Sequence, residues 1–351
     1  MSTPLLDVAT ARGLPKAELH QHLDGSLRPE TAVELAAEAG MALSIDEVRR
    51  RMVGPPRCRD QAELLTYFDL PIALLQEAAA LRRAAAELVV DLAADGIRYA
   101  EIRWAPRLHL ERGLSVRDVI AAVADGVAQG KQAAGAAAPA AFLIVTAMRS
   151  HPPGANVLLA RAAAEFGPPI VGFDLAGPEL AWPAPPHAAA FRAAEEGGLA
   201  LTAHAGEVAG PERVREALDL GARRIAHGVT AIEDPMLIET LRAADITLDL
   251  APTSNVQAGI VASLADHPLL RLHRAGVSVT LSTDDRTVTG TDLSREYAAV
   301  AQALSIAPAE MAAIALNGFR RAFGPRAVIA PHVAEAERAW NSWADEAVTS
   351  G

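Results

Sequence analysis

Eight short apolar runs recur along the chain, each closing on a polar or glycine-bearing turn. They are AELHQHL (17–23), IRYAEIRWAP (97–106), AFLIVTAMR (141–149), PIVGFDLAG (169–177), LALTAHAGE (199–207), RRIAHGV (223–229), ITLDLAPTSN (246–255) and VSVTLSTDD (277–285). Stretches with helical spacing lie between them, such as PERVREALDL, which opens on Pro211 and stops at Gly221, and DPMLIETLRAAD, which follows Asp234 as a cap. Short apolar runs alternating with helices build parallel sheets buried on both faces. Eight such units predict an α/β chain folded as a (β/α)8 TIM barrel, with a doubly wound open sheet as the alternative.

A chain of 351 residues suits one barrel domain over 1–351. The segment from about 29 to 94 is too long for a single connection. It reads as extra helices after the first strand, broken by a loop at RMVGPPRCRDQ, and is expected to lie over the barrel mouth. The Ala-rich stretch from Ala133 to Ala141 reads as a helix end and linker, and no internal repeat accompanies the strand–helix rhythm.

Apolar residues make up 51% of the chain and charged residues 21%, enough for a large core and without the composition of disorder. A net charge of −11 and the absence of a Lys/Arg run argue against nucleic acid or an anionic membrane as partner. A small neutral or cationic ligand fits better. The single cysteine, Cys58, allows no internal disulfide and is expected to serve as a small apolar residue. The longest apolar stretch, AAGAAAPAAFLIVTAM, is short and broken by Pro139, and no leader pattern opens the chain, so a soluble, cytoplasmic protein is expected. Oligomeric state stays open.

Polar residues collect where strands end. Asp24 follows the first strand, Gly177 the fourth, His204 and Glu207 the fifth, His227 the sixth, and Asp284 and Asp285 the eighth. In a barrel these carboxyl ends form one rim around one pocket. Strand alternation would put His20, His22 and Asp24 on one face. Taken singly, each feature has an ordinary explanation: a solvated face for HQH, a core histidine for His204, a first-turn acid for Glu207, a cap for TDD. None of these explains their joint occurrence at five strand ends. Three imidazoles and a carboxylate on one rim suit zinc or a similar divalent ion, with one position left for water.

No role falls to His109, His151, His187, His267, His273 or His332; His267 and His273, in DHPLLRLHRAG, are expected to be exposed or partly buried. No glycine-rich loop carries a phosphate-binding lysine, and no serine or cysteine nucleophile motif is present.

Together PKAELHQHLDGSLRPET, GFDLAGPE, TAHAGE, RIAHGV, PTSNVQAGI and STDDRTVTGTDLSREY resemble the adenosine deaminase family of metal-dependent aminohydrolases, in order and over about residues 14 to 320. The resemblance implies a barrel with one zinc ion, which replaces the purine 6-amino group by oxygen. On matching positions it implies His20, His22, His204 and Asp284 as zinc ligands. His227 would position and help deprotonate a water whose pKa the ion lowers, with Asp284 accepting a hydrogen bond from it. Glu207 would donate a proton to the ring nitrogen beside the attacked carbon. Asp285 and the Gly177 backbone would hold the two edges of the purine, and Asp24 the sugar 5′ hydroxyl, beside His22. A carboxylate at that place favours a nucleoside over a nucleotide.

The chain departs from the family pattern at Pro178, Ala251, Ser282 and Arg286, all expected to border the pocket. Adenosine or 2′-deoxyadenosine is the expected substrate. The alternatives are a modified adenine nucleoside such as aminodeoxyfutalosine, on the menaquinone route, or free adenine. A barrel that only binds, and a metallohydrolase of amides or phosphoesters, are the readings from other classes. The full His/His/His/Asp/Glu set argues against the first. Against a two-metal hydrolase bridged by a modified lysine, no lysine lies in a rim motif: Lys16 precedes the first strand and Lys131 sits in a helix.

Overall fold

In the computed structural model of the chain, residues 6–208 and 210–349 are described. Eight strands form at the eight apolar runs: β1 (Lys16–His22), β2 (Ile97–Trp104), β3 (Ala140–Met148), β4 (Ile170–Ala176), β5 (Ala200–Ala205), β6 (Arg224–His227), β7 (Thr247–Leu250) and β8 (Ser278–Leu281). They pair in chain order, every pair parallel. The ring closes where β1 meets the residues after β8, at a parallel bridge between Gln21 and Asp284. There the His22 N–H donates to the Asp284 carbonyl at 2.7 Å, and the Asp284 N–H donates to the His20 carbonyl at 2.9 Å. This is a (β/α)8 barrel, and closure removes the open-sheet alternative.

Helices clothe the ring. Ala78–Ala94 and Val116–Ala134 pack closely because glycines face the first helix: a Cβ on Gly126 would stand 2.2 Å from the Arg82 carbonyl oxygen, and one on Gly130 2.5 Å from that of Ala86. Gly126 and Gly130 thus have a packing cause. Between β1 and Ala78 run four further helices, Pro29–Glu38, Ile45–Met52, Gln61–Leu65 and Asp69–Leu74. Ser44 and Asp60 cap the second and third of these by accepting the backbone N–H of Glu47 and Glu63. Cys58, in the loop between them, is buried in a small cluster with Leu64, Ala258 and Val288, as its composition role predicts. No helix among the described residues is long and apolar enough to cross a membrane.

The barrel interior is not wholly apolar. Beneath the mouth, Arg224 pairs with Glu101 and, at 2.6 Å, with Asp249, while Arg103 pairs with Asp174 at 3.3 Å; all five side chains are essentially inaccessible. Such buried pairs add little net stability, because desolvation offsets attraction, but they fix which side chains face one another. The uppermost carboxylate of this ladder, Asp174, reaches the site.

Candidate active site

Each strand end delivers its polar group to the mouth. His20 and His22 alternate on β1 so that their Nε2 atoms lie 3.2 Å apart, and His204 on β5 brings its Nε2 to 3.1 Å from the first and 3.2 Å from the second. The Asp284 Oδ1 stands 3.0 Å from His20 Nε2 and 3.3 Å from His22 Nε2. Ligand atoms about 2 Å from one centre and adjacent in its coordination shell stand about 3 Å apart, and five of the six separations here, all but His204–Asp284, are 3.0–3.3 Å. The His204 Nδ1 faces Asp174 at 3.1 Å and carries its ring proton there, so Nε2 presents a bare lone pair to the others. The residues fit a divalent cation.

His227, the last residue of β6, joins the cluster from the side: His20, His204, His227 and Asp284 have ligand atoms within 4.8 Å of one another. Its Nε2 stands 3.7 Å from Glu207 Oε1 and 3.9 Å from Asp284 Oδ2. Both His227 (φ 67°) and Asp284 (φ 64°) hold the left-handed backbone conformation that side chains disfavour, and strain of this kind gathers at functional sites. At Asp284 the turned backbone makes the seam bonds to β1 while the side chain faces the imidazoles.

The wall above holds Asp24, Gly177, Glu207 and Asp285 around a cavity of about 260 Å³, closed on the other side by Leu64, Phe68, Ile72, Leu108 and Met148. The insertion helices therefore cover the mouth. Asp24 lies in a turn just past β1 rather than on the strand, because β1 stops at His22. Asp285 packs over bare backbone, since a Cβ on Gly25 would stand 1.8 Å from its Oδ1, and that oxygen is buried without a hydrogen-bond partner.

Burial sets the acidities. Loss of water, reinforced by the charges of Asp284 and Asp24, holds the Asp285 carboxyl well above its ordinary value. Burial also raises Glu207, against the pull of His227 and with the push of Glu179 and Asp284. For Asp284, burial works upward but His20 and His22 outweigh it and keep the carboxylate ionised well below its usual range. Burial brings His204 down to about 4. Two carboxyls with raised pKa thus sit beside one held ionised.

Several participants escape sequence reasoning. Gln61 reaches down from the covering helix to Glu207, Ser254 donates to Asp284 Oδ2 at 2.7 Å, and Asn255 meets His227 at 3.0 Å. Asp174 lies inside the quoted motif GFDLAG, where strand alternation places it facing inward, a usable signal. Two expectations need correction. His267 is buried, at 2% exposure, because it is hydrogen-bonded beneath the mouth rather than displayed on a helix. Pro178, Ala251, Ser282 and Arg286 do not line the cavity; their sequence neighbours Gly177 and Asp285 do, while Arg286 turns toward Asp95.

Three imidazoles and a carboxylate on the carboxyl rim of a closed parallel barrel are the equipment of metal-dependent barrel hydrolases. Residues 15–331 match the family model described as adenosine deaminase, and the chain belongs to that family, hydrolases acting on C–N bonds. It is 35% identical to an adenosine deaminase of Enterococcus faecalis over 321 residues, 91% of this chain and 94% of the relative. Among solved structures it resembles an adenine deaminase from Arthrobacter aurescens (TM-score 0.86, 29% identity, 93% of this chain and 98% of that one). It also resembles an amidohydrolase from Burkholderia ambifaria with bound Zn (TM-score 0.88, 25% identity, 97% and 94%).

Proposed function

We propose that this chain, as one deaminase barrel domain, hydrolyses adenosine and 2′-deoxyadenosine to inosine and 2′-deoxyinosine with release of ammonia. The observation that carries the reading is the convergence of His20, His22, His204 and Asp284, with five of their six separations at 3.0–3.3 Å, beside a buried Glu207. These four residues would hold one zinc ion, a choice supported by the ligand set and by the Zn-bound neighbour. Bound there, the ion supplies Lewis acidity that makes water a competent nucleophile at neutral pH.

The remaining chemistry belongs to the side chains. Glu207, kept protonated by burial, gives its proton to the ring nitrogen beside the amino-bearing carbon, so that carbon can become tetrahedral as water adds. Asp284, kept ionised, accepts a proton from the attacking water and passes it to the exocyclic nitrogen, so ammonia departs, while the proton left on the new hydroxyl returns to Glu207 as the carbonyl forms. The imidazole-edge nitrogen of the purine is an acceptor, and Asp285, held neutral, can donate to it. Gly177, at φ 109°, offers its backbone to the pyrimidine edge, and Asp24 accepts from the 5′ hydroxyl beside His22. Asp24 and Asp69 line the cavity and no lysine or arginine does so among the described residues, which favours a nucleoside over its phosphate.

The test is loss of the adenine absorbance band with adenosine, 2′-deoxyadenosine, adenine, AMP and aminodeoxyfutalosine, using enzyme loaded with zinc. Fast turnover of the first two is expected. Preference for adenine or for aminodeoxyfutalosine would overturn the substrate assignment while keeping the chemistry, and no turnover of any would overturn the reaction.

A further inference from the structure

His267 sits under the mouth ahead of the helix Leu269–Arg274 and makes two hydrogen bonds that leave no freedom in its protonation. The Leu269 backbone N–H donates to its Nδ1 at 3.2 Å. A backbone amide is always a donor, so Nδ1 is the unprotonated nitrogen and the ring proton is on Nε2. That Nε2–H faces Asn255 at 3.1 Å and needs an acceptor, which is the side-chain oxygen Oδ1. An amide that presents its oxygen on one side presents its NH2 on the other. Asn255 Nδ2 lies 3.0 Å from His227 Nδ1, which must therefore accept.

From this chain of forced donors we infer that Asn255 and His267 are positioning residues that hold His227 as its Nε2–H tautomer. The amide N–H of Leu269 thus dictates the protonation of a ring two residues removed from it in the relay. All three side chains are at most 2% exposed, so bulk water offers no competing partner. Burial also keeps His267 neutral, pushing it down to about 3. Asn255 and its neighbour Ser254 share the helix Pro252–Gln257, so one turn after β7 orients both His227 and Asp284.

The consequence bears on the reaction proposed above. A neutral His227 with its proton on Nε2, aimed between Glu207 and Asp284, donates to the attacking oxygen and cannot take a proton from it through that nitrogen. Proton acceptance then falls to Asp284. The tautomer itself does not depend on which substrate the enzyme uses.

The experiment is long-range 1H–15N correlation of the histidine rings in 15N-labelled, zinc-loaded enzyme, with His227 assigned by its disappearance in a His227→Gln variant. The wild type is expected to show His227 protonated at Nε2. Asn255→Asp exchanges the donating NH2 for an acceptor and is expected to move the proton to Nδ1, lowering kcat by about 100-fold or more with KM within about 3-fold of wild type. His267→Gln can still accept from Leu269 and donate to Asn255, so it should retain the wild-type pattern that His267→Phe loses. His227 protonated at Nδ1 in the wild type would overturn the inference. So would Asn255→Asp that lowers Tm while leaving the ring pattern and kcat unchanged. Should the ring pattern be as expected and the whole substrate panel stay inert, the reaction assignment fails and the relay stands.

Discussion

Gln61 holds Glu207 from above: its side-chain N–H donates to Oε2 at 2.7 Å, linking the covering helix Gln61–Leu65 to the carboxyl proposed to protonate the purine ring. An N–H donated to a carboxyl favours the ionised form, so this contact works against the burial that raises the Glu207 pKa. Removing it by Gln61→Leu should raise the Glu207 pKa further. In the proposed mechanism the protonated carboxyl is the active form, so activity is present below that pKa and lost as pH rises through it. The alkaline limb of kcat/KM should therefore move to higher pH in the variant. An unmoved limb would show that the limb belongs to another group.

Asp174 fixes the proton of His204 on Nδ1 and leaves Nε2 free to ligate. Partners of this kind are worth about 10–100-fold in metal affinity. Asp174→Asn should weaken zinc binding by that amount in competition with a chromophoric chelator. A variant that loses Tm but binds zinc as tightly as wild type would reduce Asp174 to its pairing with Arg103.

Asp24 should matter only to substrates that carry a sugar. A hydrogen bond to a charged group contributes about 1.5–3 kcal/mol, so Asp24→Ala is expected to raise KM for adenosine at least about 10-fold and leave adenine kinetics alone. Equal losses on both would move the residue's role from the sugar to the cavity as a whole.

Glu296 gives a stability prediction away from the reacting groups. It is buried and accepts from the Thr253 N–H at 2.8 Å and from the Thr253 hydroxyl, yet burial outweighs both and pushes it up to about 7. A folded-state pKa raised above the ordinary 4.5 means that the folded chain holds the extra proton. The stabilisation is complete below the unfolded value and is lost as pH rises through about 7. Glu296→Gln keeps one acceptor for the N–H and cannot ionise. Its Tm should gain on wild type between pH 5 and pH 8, by the equivalent of at most about 3 kcal/mol. A gap that does not change with pH would show that Glu296 is ionised in the fold throughout.

The strands and the rim were legible because they obey period and position. Buried parallel strands read as apolar runs, and His20, His22, His204, His227 and Asp284 interrupt those runs or follow directly on them. Asp24 and Gly177 were found for the same reason. Gln61, Asn255 and His267 were not, since they act across the fold and their neighbours in sequence say nothing of Glu207 or His227. His267 in particular sits in a stretch whose local pattern suits a surface helix, yet it is buried and hydrogen-bonded to Asn255 in the helix after β7. The charged ladder of Glu101, Arg224, Asp249 and Arg103 was equally hidden: apolar neighbours mask polar residues that are paired across the barrel.

The seam at Asp284 has a consequence for how the protein is made. The residue that bridges back to β1 comes after the last strand, and the imidazoles it faces come from the first strand and the fifth. A ribosome must therefore release nearly the whole barrel before the quartet can exist, and a nascent or truncated chain offers at most scattered histidines. Cofactor capture becomes a terminal event of synthesis, so an ion retained at this place reports that the last strand has found the first.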